Sequence, residues 1–232
     1  MATCVVVRHG HSTANAEGLL AGWTPGVLLT ERGRAQVAAL RARLHGIPIR
    51  LVATSPLERC RETAAALTPA GTPVLVDDAL GECRYGAWTG RKLADLATDP
   101  LWRVVQDDPA AARFPDGEGQ PAESMAEMSA RVVAAVRRHD AAVEAEHGPH
   151  AVWLAVSHGD PIKAVLADAL GSGLAHVQRV HVDPASVSVV RWSAGRPMVL
   201  ATNRPGEGVA ELVAAPTDAV PAGDAPVGGG GG

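Results

Sequence analysis

Residues 3–10 read TCVVVRHG, and residues 151–159 read AVWLAVSHG. Each is an apolar run that stops abruptly at a histidine followed by glycine. The runs are short, the first is rich in β-branched residues, and neither alternates with polar positions. That pattern predicts buried strands that end in polar loops.

Outward from these two runs, strand and helix patterns alternate. Residues 49–53 (IRLVA), 74–76 and 186–192 (SVSVVRW) read as further strands. Residues 31–45 place Val37, Leu40 and Leu44 at helical spacing with arginines between them, and Gly46 and Pro48 close the segment. Residues 57–67, 122–147 and 160–170 also read as helices. This alternation predicts an α/β three-layer sandwich, a mostly parallel central sheet with helices on both faces. One domain over residues 1–214 fits the length, since domains commonly run to ~100–200 residues. Residues 107–121 (DDPAAARFPDGEGQP) read as a long surface loop. Residues 215–232 end in five glycines, cannot bury apolar surface, and read as a disordered tail.

Composition excludes several classes of function. The net charge is −4 and aromatic residues make up 3% of the chain, with one Phe and one Tyr. Neither a broad basic footprint for nucleic acid or a membrane surface nor a platform for stacking bases is available. The core must be built from Val, Leu and Ala. Cys4, Cys60 and Cys83 are widely spaced, so neither a disulfide framework nor a zinc site is indicated. A reducing, cytoplasmic location is expected, with no signal peptide and no membrane span.

Three charged motifs follow predicted strands: Arg8-His9-Gly10, then Thr54 to Cys60 with Arg59, then Ser157-His158-Gly159. In α/β sheets the site lies outside the carboxyl ends of the strands. Two arginines and two histidines gathered there would repel one another unless they held an anion. Phosphate suits them, because arginine grips its oxygens with a two-pronged fork. A neutral imidazole can attack phosphorus, so His9 is the candidate nucleophile. Arg8, Arg59 and His158 are the candidate stabilisers of charge on the transferring group, with no metal or cofactor required. Gly10 and Gly159 let backbone N–H groups approach the ligand. Glu82, in the glycine-rich LGECRYGAWTG, is the candidate proton donor, because a partly apolar pocket raises a carboxyl pKa. Cys60 and Cys83 read as inert buried thiols.

R-H-G-x-S-T-x-N (8–15), G-W (22–23), T-S-P-L-x-R-C-x-E-T (54–63), G-E-x-x-Y-G-x-W-x-G (81–90) and S-H-G (157–159) stand in this order. Together they resemble the histidine phosphatase, or phosphoglycerate mutase-like, superfamily over about residues 4–203, in an actinobacterial branch. The resemblance implies a phosphorylated His9, Glu82 as acid, and Arg8, Arg59 and His158 as the phosphate pocket. It further implies Asn15 at the phosphate, Gly22 and Tyr85 near the substrate, and a lid-like insertion over 91–125. Position 11 departs from it: His11 stands where Glu or Gln is usual. Arg103 and Arg113 are separate, whereas the mutases carry paired lid arginines. The implied activity is therefore a histidine acid phosphatase-type phosphomonoesterase acting on a small phosphorylated metabolite, with a phosphomutase as the alternative. A homodimer is also implied.

Overall fold

In the computed structural model, which describes residues 2–192, 196–205 and 207–213, one six-stranded sheet forms the middle of the protein. Its strands are β1 (Thr3–Arg8), β2 (Ile49–Thr54), β3 (Val74–Val76), β4 (Val152–Ser157), β5 (Val187–Trp192) and β6 (Pro197–Arg204). They lie in the order β3-β2-β4-β1-β5-β6. The first four of that order run parallel, while β5 is antiparallel to β1 and β6 to β5. The mostly parallel sheet is as expected. β6 is an addition that the sequence reading did not include. It is an edge strand whose residues are mostly half-buried, so it carries no sharp apolar signal.

The alternation of β1 divides the core. Val5 and Val7 pack with Val37 and Leu40 of α2 (Glu31–Arg43), Ala64 of α3 (Glu58–Leu67) and Val209 of α8 (Val209–Val213). Cys4 and Val6 face the other way. They join Met128 and Val132 of α6 (Met125–His147) and Ile162 of α7 (Gly159–Ala169). Helices therefore cover both faces, and each fully buried Val or Leu contributes roughly 1.5–3 kcal/mol. The long helix starts at Met125 rather than 122. Ser124 caps it, accepting from the N–H of Glu127 while the Glu127 side chain reaches back to Ser124.

The loop after β1 is held by close backbone contact with α2. A Cβ on Gly33 would lie 2.0 Å from the His11 carbonyl oxygen, and one on Gly10 would lie 2.8 Å from the Gly33 oxygen. Only two glycines allow that approach. Thr30, the N-cap of α2, accepts from Gly33 and donates its hydroxyl to the His11 carbonyl.

The insertion over 91–125 is more ordered than its composition suggests. It holds α4 (Leu93–Leu96) and α5 (Pro100–Asp107), the second capped by Asp99 with Pro100 in its first turn. Residues 107–121 are not simply a surface loop: Ala112 and Phe114 are buried, and bridges Tyr85–Ala122 and Arg113–Ser124 pin the segment. Three buried anchors, Pro109, Ala112 and Phe114, were enough to override a loop-like composition. The tail over 215–232 lies outside the described residues. Among the described residues, no helix is long and apolar enough to cross a membrane.

Candidate active site

Parallel pairing sets three loops side by side. Arg8 pairs with Ser157 in register, the His9 N–H donates to the Ser157 carbonyl at 3.1 Å, and the Ser55 N–H donates to Val156 at 3.0 Å. The segments after β1, β2 and β4 therefore meet at one sheet end. They open on a cavity of about 300 Å³ lined by Arg8, His9, Asn15, Gly22, Arg59, Glu82, Tyr85 and Gly159.

His9 is buried, and its Nδ1 lies 2.8 Å from the Gly10 carbonyl oxygen. A carbonyl only accepts, so Nδ1 carries the proton and Nε2 keeps its lone pair. Burial lowers the His9 pKa well below the usual imidazole value, and Arg59 and Arg8 add to the effect. The ring is thus neutral and suited to nucleophilic attack.

The two arginines are each half-engaged. Arg8 donates from Nη1 to the Val182 carbonyl at 2.6 Å, and Arg59 donates from Nη2 to the Gly22 carbonyl at 2.9 Å. Arg8 Nε and Arg59 Nη1 are buried and find no acceptor among the described residues. Buried charged donors without acceptors are costly, and an anion in the cavity would satisfy both. α7 also opens at Gly159, where its N-terminal N–H groups and dipole favour an anion.

His158 sits behind this arrangement and does not line the cavity wall. It is fully buried, its ring 5.2 Å from that of His9 in edge-to-face contact, and its Nε2 lies 2.7 Å from Ser55 Oγ. Burial, then Arg59, hold its pKa well below the usual value. Cys60 is packed against the same ring, its Sγ 3.4 Å from Nε2, and burial pushes its thiol up to about 12. That fits the expected inert thiol.

Glu82 faces the same cavity. Its Oε1 accepts from the Cys83 N–H at 2.9 Å. Burial, then the neighbouring Asp160 carboxylate, push its pKa up to about 7. It can therefore hold a proton near neutral pH and release it. Its loop is held from behind. Arg131 donates to the carbonyls of Ala79, Gly81 and Glu82 at 2.8–2.9 Å while its Nε donates to Glu123 at 2.9 Å. Trp23 Nε1 also donates to the Glu82 carbonyl, at 2.6 Å.

Of the remaining expected residues, Asn15 lies at the third position of α1 (Thr13–Glu17) and shares a capping box with Ser12. Its Oδ1 is occupied there, so its amide NH₂ is what it offers the cavity. Tyr85 is buried and donates its hydroxyl to Asp160 Oδ2 at 2.7 Å. His11 is not part of the cavity lining. Its Nδ1 lies 2.9 Å from Thr30 Oγ1, and it braces the loop against α2.

Asp160, Lys163, Gln178, Trp102 and Val105 also line the cavity and were not anticipated. Asp160 had a signal, since it follows Ser157-His158-Gly159 directly. The others come from helix turns and the insertion, where no local pattern marks them.

Residues 4–205 match the histidine phosphatase superfamily (branch 1). The 2,3-bisphosphoglycerate-dependent phosphoglycerate mutase 2 of Gloeobacter violaceus is 30% identical, covering 79% of this chain and 82% of the mutase. The alpha-ribazole phosphatase structure from Shigella flexneri superposes with a TM-score of 0.75 at 26% identity, covering 89% of this chain and 98% of that one. A mycobacterial glucosyl-3-phosphoglycerate phosphatase structure does so with a TM-score of 0.75 at 28% identity, covering 87% and 98%.

Proposed function

The chain belongs to the histidine phosphatase superfamily, and on that premise we propose that it is a histidine acid phosphatase-type phosphomonoesterase acting on a small phosphorylated metabolite. The observation that carries the reading is the pairing of a neutral, oriented His9 with two buried arginine donors that lack acceptors. Arg8 Nε and Arg59 Nη1 receive phosphoryl oxygens, with Asn15 and the Gly159 backbone beside them. The lone pair on His9 Nε2 attacks phosphorus in line, and the bond from phosphorus to the ester oxygen breaks. Glu82 gives its proton to that oxygen, so an alcohol leaves. The resulting Glu82 carboxylate then takes a proton from water, which attacks the phosphohistidine and frees inorganic phosphate. His158 is buried against the edge of the His9 ring and supports the pocket from behind.

The second reading is a mutase, which returns the phosphoryl group to another hydroxyl, and the relative from Gloeobacter violaceus favours it. Against it, Arg103 and Arg113 are spent on Asp107 and Glu127 at the surface, so neither supports a second phosphoryl group. Phosphate release without added metal across a panel of small phosphomonoesters tests the proposal, with His9→Ala as control. Interconversion of phosphoglycerates without phosphate release would favour the mutase. Undiminished turnover by His9→Ala would overturn the mechanism.

A further inference from the structure

The cavity has two parts of different chemistry. Its floor carries the charge, in Arg8, Arg59 and Glu82. Its outer wall is built from the insertion, the loop before it and the segment after α1: Leu20, Trp88, Leu93, Trp102, Val105 and Phe114. This chain has seven aromatic residues, counting five Trp, one Tyr and one Phe. Four of them, Tyr85, Trp88, Trp102 and Phe114, line this one cavity. Trp88 stacks with Trp102, ring centres 6.3 Å apart, and meets Phe114 edge-on at 5.4 Å. Tyr85 meets Phe114 edge-on at 5.0 Å. Leu93 keeps 39% of its surface exposed at the rim, and Leu20 and Trp102 are only partly covered.

No unmatched cation stands on that wall among the described residues. Lys163 is the lysine that lines it, and its Nζ lies 3.4 Å from Asp160 Oδ1 and 3.1 Å from Gln178 Oε1. His181 pairs with Asp183 at 3.0 Å. Of the arginines beyond the floor, Arg84 lies 3.8 Å over the Trp23 ring and Arg91 faces Asp99, and neither of these two lines the cavity. A second anionic group would therefore lose water against leucine and tryptophan, near the carboxylates of Glu82 and Asp160, and would have to compete for Lys163 or His181 with the carboxylates they already face. An apolar group would cover surface that is now left open.

We propose that this pocket selects phosphomonoesters whose leaving alcohol is uncharged and largely apolar, of aryl-alkyl or branched-alkyl type. The proposal rests on the phosphatase reading of the floor and concerns the wall alone.

The test compares kcat/KM of the full-length protein for 2-phenylethyl phosphate and for 3-phosphoglycerate, both esters of alcohols, so that leaving-group chemistry does not decide the result. The apolar ester is expected to be better by about tenfold or more, a ratio that one additional buried apolar contact supports. Leu93→Lys, at the exposed rim, should cut that ratio by about tenfold through a new cation. Equal or better use of 3-phosphoglycerate by the unaltered protein overturns the proposal, as does a ratio unmoved in Leu93→Lys. If neither ester releases phosphate, the panel of phosphomonoesters decides the phosphatase reading of the floor. The wall is then read by calorimetry with two phosphonates. Tighter binding of 2-phenylethylphosphonate than of 2-carboxyethylphosphonate upholds the proposal, and the reverse order overturns it.

Discussion

The Nδ1–H of His9 is held by the carbonyl oxygen of Gly10 at 2.8 Å, within the same loop. That bond fixes the ring's tautomer before any substrate arrives. Burial and two arginines keep the ring neutral well below the usual imidazole pKa. Two outcomes follow for activity. His9→Ala should reduce kcat/KM by at least about a thousandfold, since covalent catalysis is removed. In the unaltered protein, protonation of His9 should not reduce kcat/KM as pH falls from 8 to 6.5. Trapping of a phosphohistidine by alkaline quench, in which its P–N bond survives, checks the first point, and a pH–rate profile checks the second. A labelled intermediate that persists in His9→Ala would place the nucleophile elsewhere.

Glu82 must be protonated to serve as acid, and its pKa is pushed up to about 7. As pH rises through that value the proton is lost, so kcat/KM for an alkyl phosphate should fall on the alkaline side. The profile of kcat/KM reports the free enzyme, the state in which this shift applies. Glu82→Gln should abolish the alkaline limb and lower the rate at every pH.

Asp160 is the second cause of that shift, after burial. Removing its charge makes the ionised form of Glu82 easier to reach. Asp160→Asn should therefore move the alkaline limb to lower pH, while Glu82 remains in place. A limb that stays where it is would show that Asp160 does not contribute to the Glu82 pKa.

Arg131 ties three carbonyls of the Glu82 loop to the buried Glu123 carboxylate. Arg131→Met removes the charge partner of that carboxylate, leaving it the Arg84 N–H, and should cost on the order of 3 kcal/mol of stability. It should also slow alkyl phosphates more than aryl phosphates, because only poor leaving groups need the proton from Glu82. Adding Glu123→Leu should recover stability in thermal denaturation without restoring alkyl phosphatase activity, since the carbonyls remain unheld.

Gly33 lies inside a helix, where alanine is ordinarily better by about 1 kcal/mol. Here the new Cβ would meet the His11 oxygen. Gly33→Ala should destabilise by about 1–3 kcal/mol, lowering Tm by about 2–12 °C in a protein of this size. It should also lower kcat, since the displaced loop carries His9. A Tm equal to or above that of the unaltered protein would show that the loop yields without strain.

Much of the site was legible because its parts are local. Strand ends are visible as apolar runs that stop at charged residues, so Arg8, His9, His158 and the region of Arg59 could be placed at one sheet edge. Glu82 was legible from its glycine-rich setting. The order of the insertion was not, because Pro109, Ala112 and Phe114 are three anchors in fifteen residues of loop composition. β6 escaped for a similar reason: half-buried edge residues carry little periodicity. Arg131 reads as one polar position on a long helix, and its reach to carbonyls some fifty residues away is set by packing alone.

The sequence by itself determined the alternation of five strands with the main helices, the mostly parallel character of the sheet, and the kinds of group delivered to its carboxyl edge. Hydrophobic period and residue chemistry are written along the chain, so these needed no contacts. Only the tertiary structure decided which His9 nitrogen is free, that Glu82 titrates near neutrality beside Asp160, and that the outer wall holds no unmatched cation among the described residues. Each depends on desolvation and on charges brought close by distant segments. Such energies act through space at a few ångströms, and the linear order of residues does not contain those distances.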